Sequence, residues 1–248
     1  MWKWLINFIP NKKLRHKLRK YYFRHIDLSI ESDTRCLLIA PHPDDEMLGM
    51  GGMLIKYTKN FDVCCVSSSG VAYGDIQAEE RADIRIVEFN KVMDMLGVQN
   101  RWIFKTFGKP PFIDQINEMF QDYCAVLDIL RYDYIFLPNP YDEHIEHKYI
   151  TNVLAKEIIR RKGYNKDTII GFYEVWSPLK SPNYYEDISQ VVSVKKQALK
   201  LYKSQWVKYN LIPRILGLNI YRGCMANNVN YAEAFRLIPI TRYLKGKL

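Results

Sequence analysis

The chain lacks a CxxC pair, and its five cysteines are an odd number for 248 residues. Such usage excludes a disulfide framework and fits a reduced, cytoplasmic compartment. Cys36, Cys64 and Cys65 fall in apolar, strand-like runs and read as core. No stretch approaches the ~20 apolar residues that a transmembrane helix needs. MWKWLINFIP is too short an apolar run, with no small-residue cleavage site, to read as a secretory signal. Internal repeats, low-complexity tracts and linkers are missing as well. Gly49, Gly51 and Gly52 lack the GxGxxG spacing of a dinucleotide fingerprint and follow an acidic loop that would repel a pyrophosphate. Close helix–sheet packing is the role expected of them. What is left is a chain with 48% apolar and 25% charged residues, which excludes wholesale disorder and suits one sizeable α/β domain.

Acid is scarce at the two ends. Residues 1–24 carry eight Lys/Arg and no acid, and residues 188–248 carry eleven Lys/Arg and one acid, Glu233. The stretch 25–187 therefore holds −9 within a total of +9. An acidic centre speaks against nucleic acid as a partner. Basic ends suit an anionic surface, such as the inner face of a membrane contacted peripherally, or a phosphate-bearing substrate. Trp2, Trp4, Leu5, Phe8 and Ile9, with Leu14 and Leu18 among cations, make residues 1–34 a basic amphipathic extension. It fits a membrane interface, or packing on the domain with its cations solvated.

Strand-like and helix-like stretches alternate through the middle. RCLLIA (35–40), FDVCCVSS (61–68), WIFKT (102–106), YIFLP (134–138) and TIIGFYEVW (168–176) read as strands. Residues 46–59, 76–96, 113–131 and 144–162 read as helices, the second stopped by Gly97. This alternation predicts an α/β, Rossmann-like, doubly wound and mostly parallel sheet with helices on both faces, its catalytic unit spanning 35–187. Residues 188–248 read as helical and then irregular, a basic lobe packed on the same domain. In such sheets chemistry collects beyond the carboxyl ends of the strands.

Two of those strand ends are dense in ionisable groups. The first is Pro41-His42-Pro43-Asp44-Asp45-Glu46. Adjacent Asp44 and Asp45 repel each other unless a cation lies beside them, and the prolines fix the backbone that aims them. His42 and Asp45, three apart in a tight loop, can converge on a metal, which leaves Asp44 free to act as a base. An N-cap on the next helix is the plainer reading of either Asp, but it leaves His42 unexplained. The second cluster is Asp142-Glu143-His144-Ile145-Glu146-His147, where His144 and His147 lie close together at a helix start. One of the two histidines can complete a His/Asp/His site with open coordination positions, the pattern of a catalytic zinc.

PHPDDE after the first strand, the later HxxH, and YEVWSP…DIS…KKQALKLYKSQ resemble the PIG-L/LmbE-like de-N-acetylases over residues 35–205. The resemblance implies a zinc-dependent hydrolase that removes the N-acetyl group of an N-acetylglucosamine-type conjugate in glycan, glycolipid or related biosynthesis. The conjugate is a small molecule, or a sugar linked to a lipid or a nucleotide. By the same resemblance His42, Asp45 and His147 hold Zn2+ (a site of this kind also takes other divalent ions) and Asp44 is the general base. His144, protonated, faces the oxyanion, and Arg85 and Glu88 bind the sugar. Arg85 and Glu88 also read as a simple i, i+3 helix pair. One departure stands out: the family's HxDH is here His144-Ile145-Glu146-His147. Tyr141 lies one position from where the family places a tyrosine. Tyr173, Trp176 and Tyr184 offer flat faces for a sugar, or packing mass. Two alternatives share the metal site: hydrolysis of another ester or phosphoester, and a catalytically silent glycan-binding relative.

Overall fold

The computed structural model describes Pro10 and residues 28–205 and 210–248. Of the amphipathic extension expected over residues 1–34, only Pro10 and residues 28–34 are described, so its apolar and basic run expected to meet a membrane lies outside the described residues. Seven strands form one sheet in the order β3-β2-β1-β4-β5-β7-β6. They are β1 (Cys36–Ala40), β2 (Phe61–Cys65), β3 (Arg101–Ile103), β4 (Tyr134–Pro138), β5 (Ile169–Tyr173), β6 (Tyr184–Asp187) and β7 (Ala232–Pro239). The first five run parallel, while β7 is antiparallel to both β5 and β6. The sheet is thus mostly parallel and doubly wound, as the alternation of elements predicts.

Both faces are covered. Along β1, Leu37 and Ile39 join a core that holds α3 (Ile113–Glu118), α4 (Phe120–Val126), α6 (Ala155–Lys162) and α9 (Ile240–Leu244). Between α4 and α6 comes α5 (Ile145–Tyr149), joined to α6 by a π-helical turn at Ile150–Leu154. Cys36 and Leu38 point the other way, toward α1 (Asp45–Lys56), α2 (Ala78–Leu96), α7 (Val192–Leu199) and α8 (Ile212–Met225). Burial on both sides is why β1 reads as a continuous apolar run rather than an alternating one.

Several expected elements are shorter or broken. The helix expected over 113–131 is two helices followed by a 3-10 turn at Ile129–Arg131, and the one expected over 144–162 contains the π-helical turn. Residues 188–248 are not purely helical, because β7 enters the main sheet between β5 and β6. Gly97 does end α2, in the left-handed conformation with φ 77°.

Helix α1 is interrupted at Met50 (φ −146°, ψ 28°). The backbone groups freed there find side-chain partners from the basic C-terminal stretch. The Glu233 carboxylate accepts from the N–H groups of Gly52 (2.7 Å) and Met53 (2.9 Å). Lys195 Nζ donates to Leu48 O (3.1 Å), Asn219 Oδ1 (3.1 Å) and Glu233 Oε1 (2.7 Å). The lone acid of 188–248 is therefore a buried partner for one of its lysines. A Cβ on Gly49 would lie 2.2 Å from the Tyr173 ring, and one on Gly52 would lie 2.2 Å from Ile188. Close packing is what these glycines permit.

Candidate active site

Strand order reverses between β1 and β4, since β2 and β3 extend one way from β1 while β4 and β5 extend the other. The loops leaving β1 and β4 must diverge there, which opens a crevice at the carboxyl ends. The HPDDE loop and the 142–147 loop meet in it. A cavity of about 330 Å³ is lined by His42, Asp44, Asp45, Arg85, His144 and Trp176, among others.

His42, His144 and His147 offer ring nitrogens within 4.8 Å of one another. Asp45 sits between two of them. Its Oδ2 lies 3.2 Å from His42 Nδ1 and 3.1 Å from His147 Nε2, and accepts from the His42 backbone N–H at 3.0 Å. His42 Nε2 meets Glu146 Oε2 at 2.5 Å, and Glu146 Oε1 accepts from the Phe112 N–H at 2.8 Å. The carboxylate of the HIEH motif therefore reaches His42. Asp142 Oδ2 stands 3.6 Å from His147 Nδ1. Both ring nitrogens of His147 and Nδ1 of His144 are buried without a well-formed hydrogen bond.

Electrostatics give the cluster a clear sign. Burial disfavours the charged ring of His147, but Asp45 and Asp142 outweigh it and push His147 up to about 10. Burial would raise Asp45, yet His147 and His42 hold it well below the usual carboxylate range. The acids of the pocket therefore favour positive charge between them, which is what a divalent cation would supply. Three imidazoles beside a carboxylate, two of them with orphaned nitrogens, fit a borderline metal such as zinc.

Asp44 is buried beside this cluster with φ 102°, a left-handed conformation that costs a non-glycine residue about 1–3 kcal/mol and gathers at functional sites. It precedes α1 but its side chain makes no capping hydrogen bond, so the plain N-cap reading does not describe it. Burial and the neighbouring Asp45 raise its pKa well above the ordinary carboxylate value, against the opposing charge of Arg85. Burial, with His42 and His147 nearby, pushes His144 down, which favours the neutral ring over the protonated one expected.

Arg85 lines the cavity, its guanidinium donating to Ser69 O (3.0 Å) and Pro43 O (3.2 Å). Glu88 does not face the cavity. Its two oxygens accept from the Ser204 N–H (2.8 Å) and hydroxyl (2.5 Å), and it is Ser204 that lines the wall. The i, i+3 pairing of Arg85 with Glu88 does not form. Of the three aromatics singled out, Trp176 lines the cavity and is 49% exposed. Tyr173 is buried with its hydroxyl on Ile39 O (2.9 Å), and Tyr184 is half-buried against the core. Tyr141 faces a different cavity. Arg81, Tyr73, Ser204 and Gln205 also line the main cavity and escaped the sequence reading, because only the packing of α2 against residues 203–205 brings them together. Next to it lies an apolar groove of about 280 Å³ that shares Trp176 and Leu211.

Residues 37–159 match the PIG-L family, described as GlcNAc-PI de-N-acetylase. A diacetylchitobiose deacetylase of Thermococcus kodakarensis is 28% identical over 232 residues, 83% of each chain. The structure of the N,N'-diacetylchitobiose deacetylase from Pyrococcus horikoshii superposes with a TM-score of 0.72 at 24% identity, covering 95% of this chain and 96% of that one. GalB, the 4-carboxy-2-hydroxymuconate hydratase of Pseudomonas putida, shares the fold with a TM-score of 0.65 at 17% identity, covering 83% and 96%. That fold accommodates more than one chemistry, so activity must be argued from the site. Across residues 37–159 this chain carries a PIG-L domain, set in the α/β fold of the LmbE/PIG-L deacetylases.

Proposed function

We propose that this protein is a zinc-dependent N-deacetylase of an N-acetylglucosamine-type conjugate, with His42, Asp45 and His147 as metal ligands. One observation carries the ligand set. The spacings of 3.2 Å and 3.1 Å from Asp45 Oδ2 to His42 Nδ1 and His147 Nε2 approach the edge of a tetrahedron built on bonds of about 2.0–2.1 Å, roughly 3.3 Å. The deacetylase relatives and the PIG-L match support amide hydrolysis as the reaction.

When bound, zinc supplies Lewis-acid polarisation of the amide carbonyl and acidifies water. Asp44, with its raised pKa, takes the proton of the attacking water and returns it to the departing amine, and acetate leaves. His144 reaches the oxyanion side as a neutral hydrogen-bond donor. Arg85 holds the sugar, Glu88 acts through Ser204 as a positioning residue, and Trp176 offers the flat face that a sugar ring packs on. The groove beyond Trp176 and Leu211 has room for an apolar group attached to the sugar.

Acetate release tests this reading with N-acetylglucosamine, its methyl and octyl glycosides, N,N'-diacetylchitobiose and a control set of phosphoesters and carboxylic esters. Release from an amide conjugate that stops on chelation and returns with zinc is the expected result. Turnover of the esters alone would move the reaction to the alternative hydrolysis.

A further inference from the structure

One wall of the cavity is basic, formed by Arg81 and Arg85. Arg81 and Arg85 stand one turn apart on α2 and both line the cavity. Their hydrogen bonds run to backbone carbonyls: Arg85 to Ser69 O and Pro43 O, and Arg81 to Ser204 O. Among the described residues neither guanidinium pairs with a carboxylate. Of the five acids of the same helix, Glu79 and Asp83 are engaged by Lys105 and Asp94 by Arg101, Glu80 is exposed, and Glu88 is hydrogen-bonded by Ser204, its charge acting on Arg81 only from a distance. Arg85 Nε is buried with no partner at all. Asp44 and Asp45 lie on the metal side of the cavity, and the Arg85 charge acts on Asp44.

Arg81 is also held in place. Its guanidinium lies 5.4 Å from the Tyr73 ring, another lining residue. A guanidinium fixed by a carbonyl and an aromatic face, with no carboxylate in ion-pair contact, presents a preformed fork for an oxyanion.

We propose that Arg81, together with Arg85, forms a subsite for a phosphate group carried by the substrate, and that Arg81 sets a preference for phosphorylated over neutral sugar conjugates. This rests on the reading of the cavity as an amino-sugar site. It names the chemical class of the group beyond the sugar.

The test compares binding of glucosamine 1-phosphate with that of glucosamine by calorimetry, on the full chain. A second comparison is acetate release from N-acetylglucosamine 1-phosphate against the methyl glycoside. The wild type is expected to bind the phosphate ester about tenfold or more tightly, the order of one charge-assisted contact. R81Q should bring that ratio below about threefold, and R81K should fall between. A purely structural role for Arg81, through Ser204, would weaken both ligands together and leave the ratio intact. No phosphate preference in the wild type, or a preference that survives R81Q, would overturn the proposal. If no conjugate releases acetate, the deacetylase reading fails while the ratio of dissociation constants still decides the subsite.

Discussion

Replacing Glu233 by Gln removes a charge from a closed, dry network. The carboxylate is 1% exposed, Lys195 is fully buried, and their atoms lie 2.7 Å apart. Gln keeps the shape but can accept through one oxygen only. With the Gln oxygen in the place of Oε1 it still accepts from the Gly52 N–H and Lys195 Nζ, but the Met53 N–H then faces an NH2 and the Lys195 ammonium has no counter-charge. Leaving a buried charge without its counter-ion costs about 3–5 kcal/mol. The reverse change, Lys195→Met, strands the carboxylate and should cost a similar amount. Removing both should cost clearly less than the two single losses combined, because each single cost is largely that of the stranded partner. Urea unfolding of all four proteins with bound metal removed gives these differences directly. A loss below about 1 kcal/mol for E233Q, or strict additivity in the double variant, would refute the claim that this pair holds the broken helix.

Further outcomes follow from buried titratable groups. Burial raises Glu46 to about 7, despite hydrogen bonds from Tyr202 and the Asp44 N–H. A carboxyl whose folded pKa exceeds its unfolded value contributes stability that is complete below the unfolded pKa of 4.5 and is lost as pH rises toward 7. Metal-free wild type should therefore gain up to about 3 kcal/mol over Glu46→Gln between pH 8 and pH 5. An unchanged difference in urea unfolding would contradict it. Cys36, Cys64, Cys65 and Cys124 are buried and only Cys224 is exposed. Burial pushes Cys64 up to about 12 and raises Cys36, Cys65 and Cys124 as well. A thiol reagent should modify one cysteine in the native protein and five after unfolding; rapid native labelling of a second would show the core to be looser than described.

Legibility in the sequence followed sequence distance. Strand β4 was readable to the residue, because Tyr134–Pro138 is an apolar run set between Asp133 and Asn139. Strand β7 was not, because Glu233 and Arg236 interrupt it and the partner that makes Glu233 tolerable, Lys195, lies 38 residues away. The π-helical turn at Ile150–Leu154 carries no local signal that could have marked it. At the site, the convergence of His42, Asp44, Asp45, His144 and His147 was legible, because they fall in two ionisable clusters that each follow a strand. What Glu88 and Glu146 do was not readable: one is engaged by Ser204, 116 residues on, and the other by His42, 104 residues back. Arg81 had no motif to flag it. Its place in the cavity depends on the packing of α2 against a segment whose course no periodicity announces.

In the proposed function Asp44 acts as a base beside a metal it does not hold. The most direct measurement is bound metal and acetate release, side by side, for wild type and Asp44→Asn. Equal metal content in the two proteins and a loss of about 10²–10⁴-fold in turnover for the variant are expected. Turnover within about tenfold of wild type would contradict a general-base role for Asp44. Loss of the metal along with the activity would place Asp44 among the ligands instead.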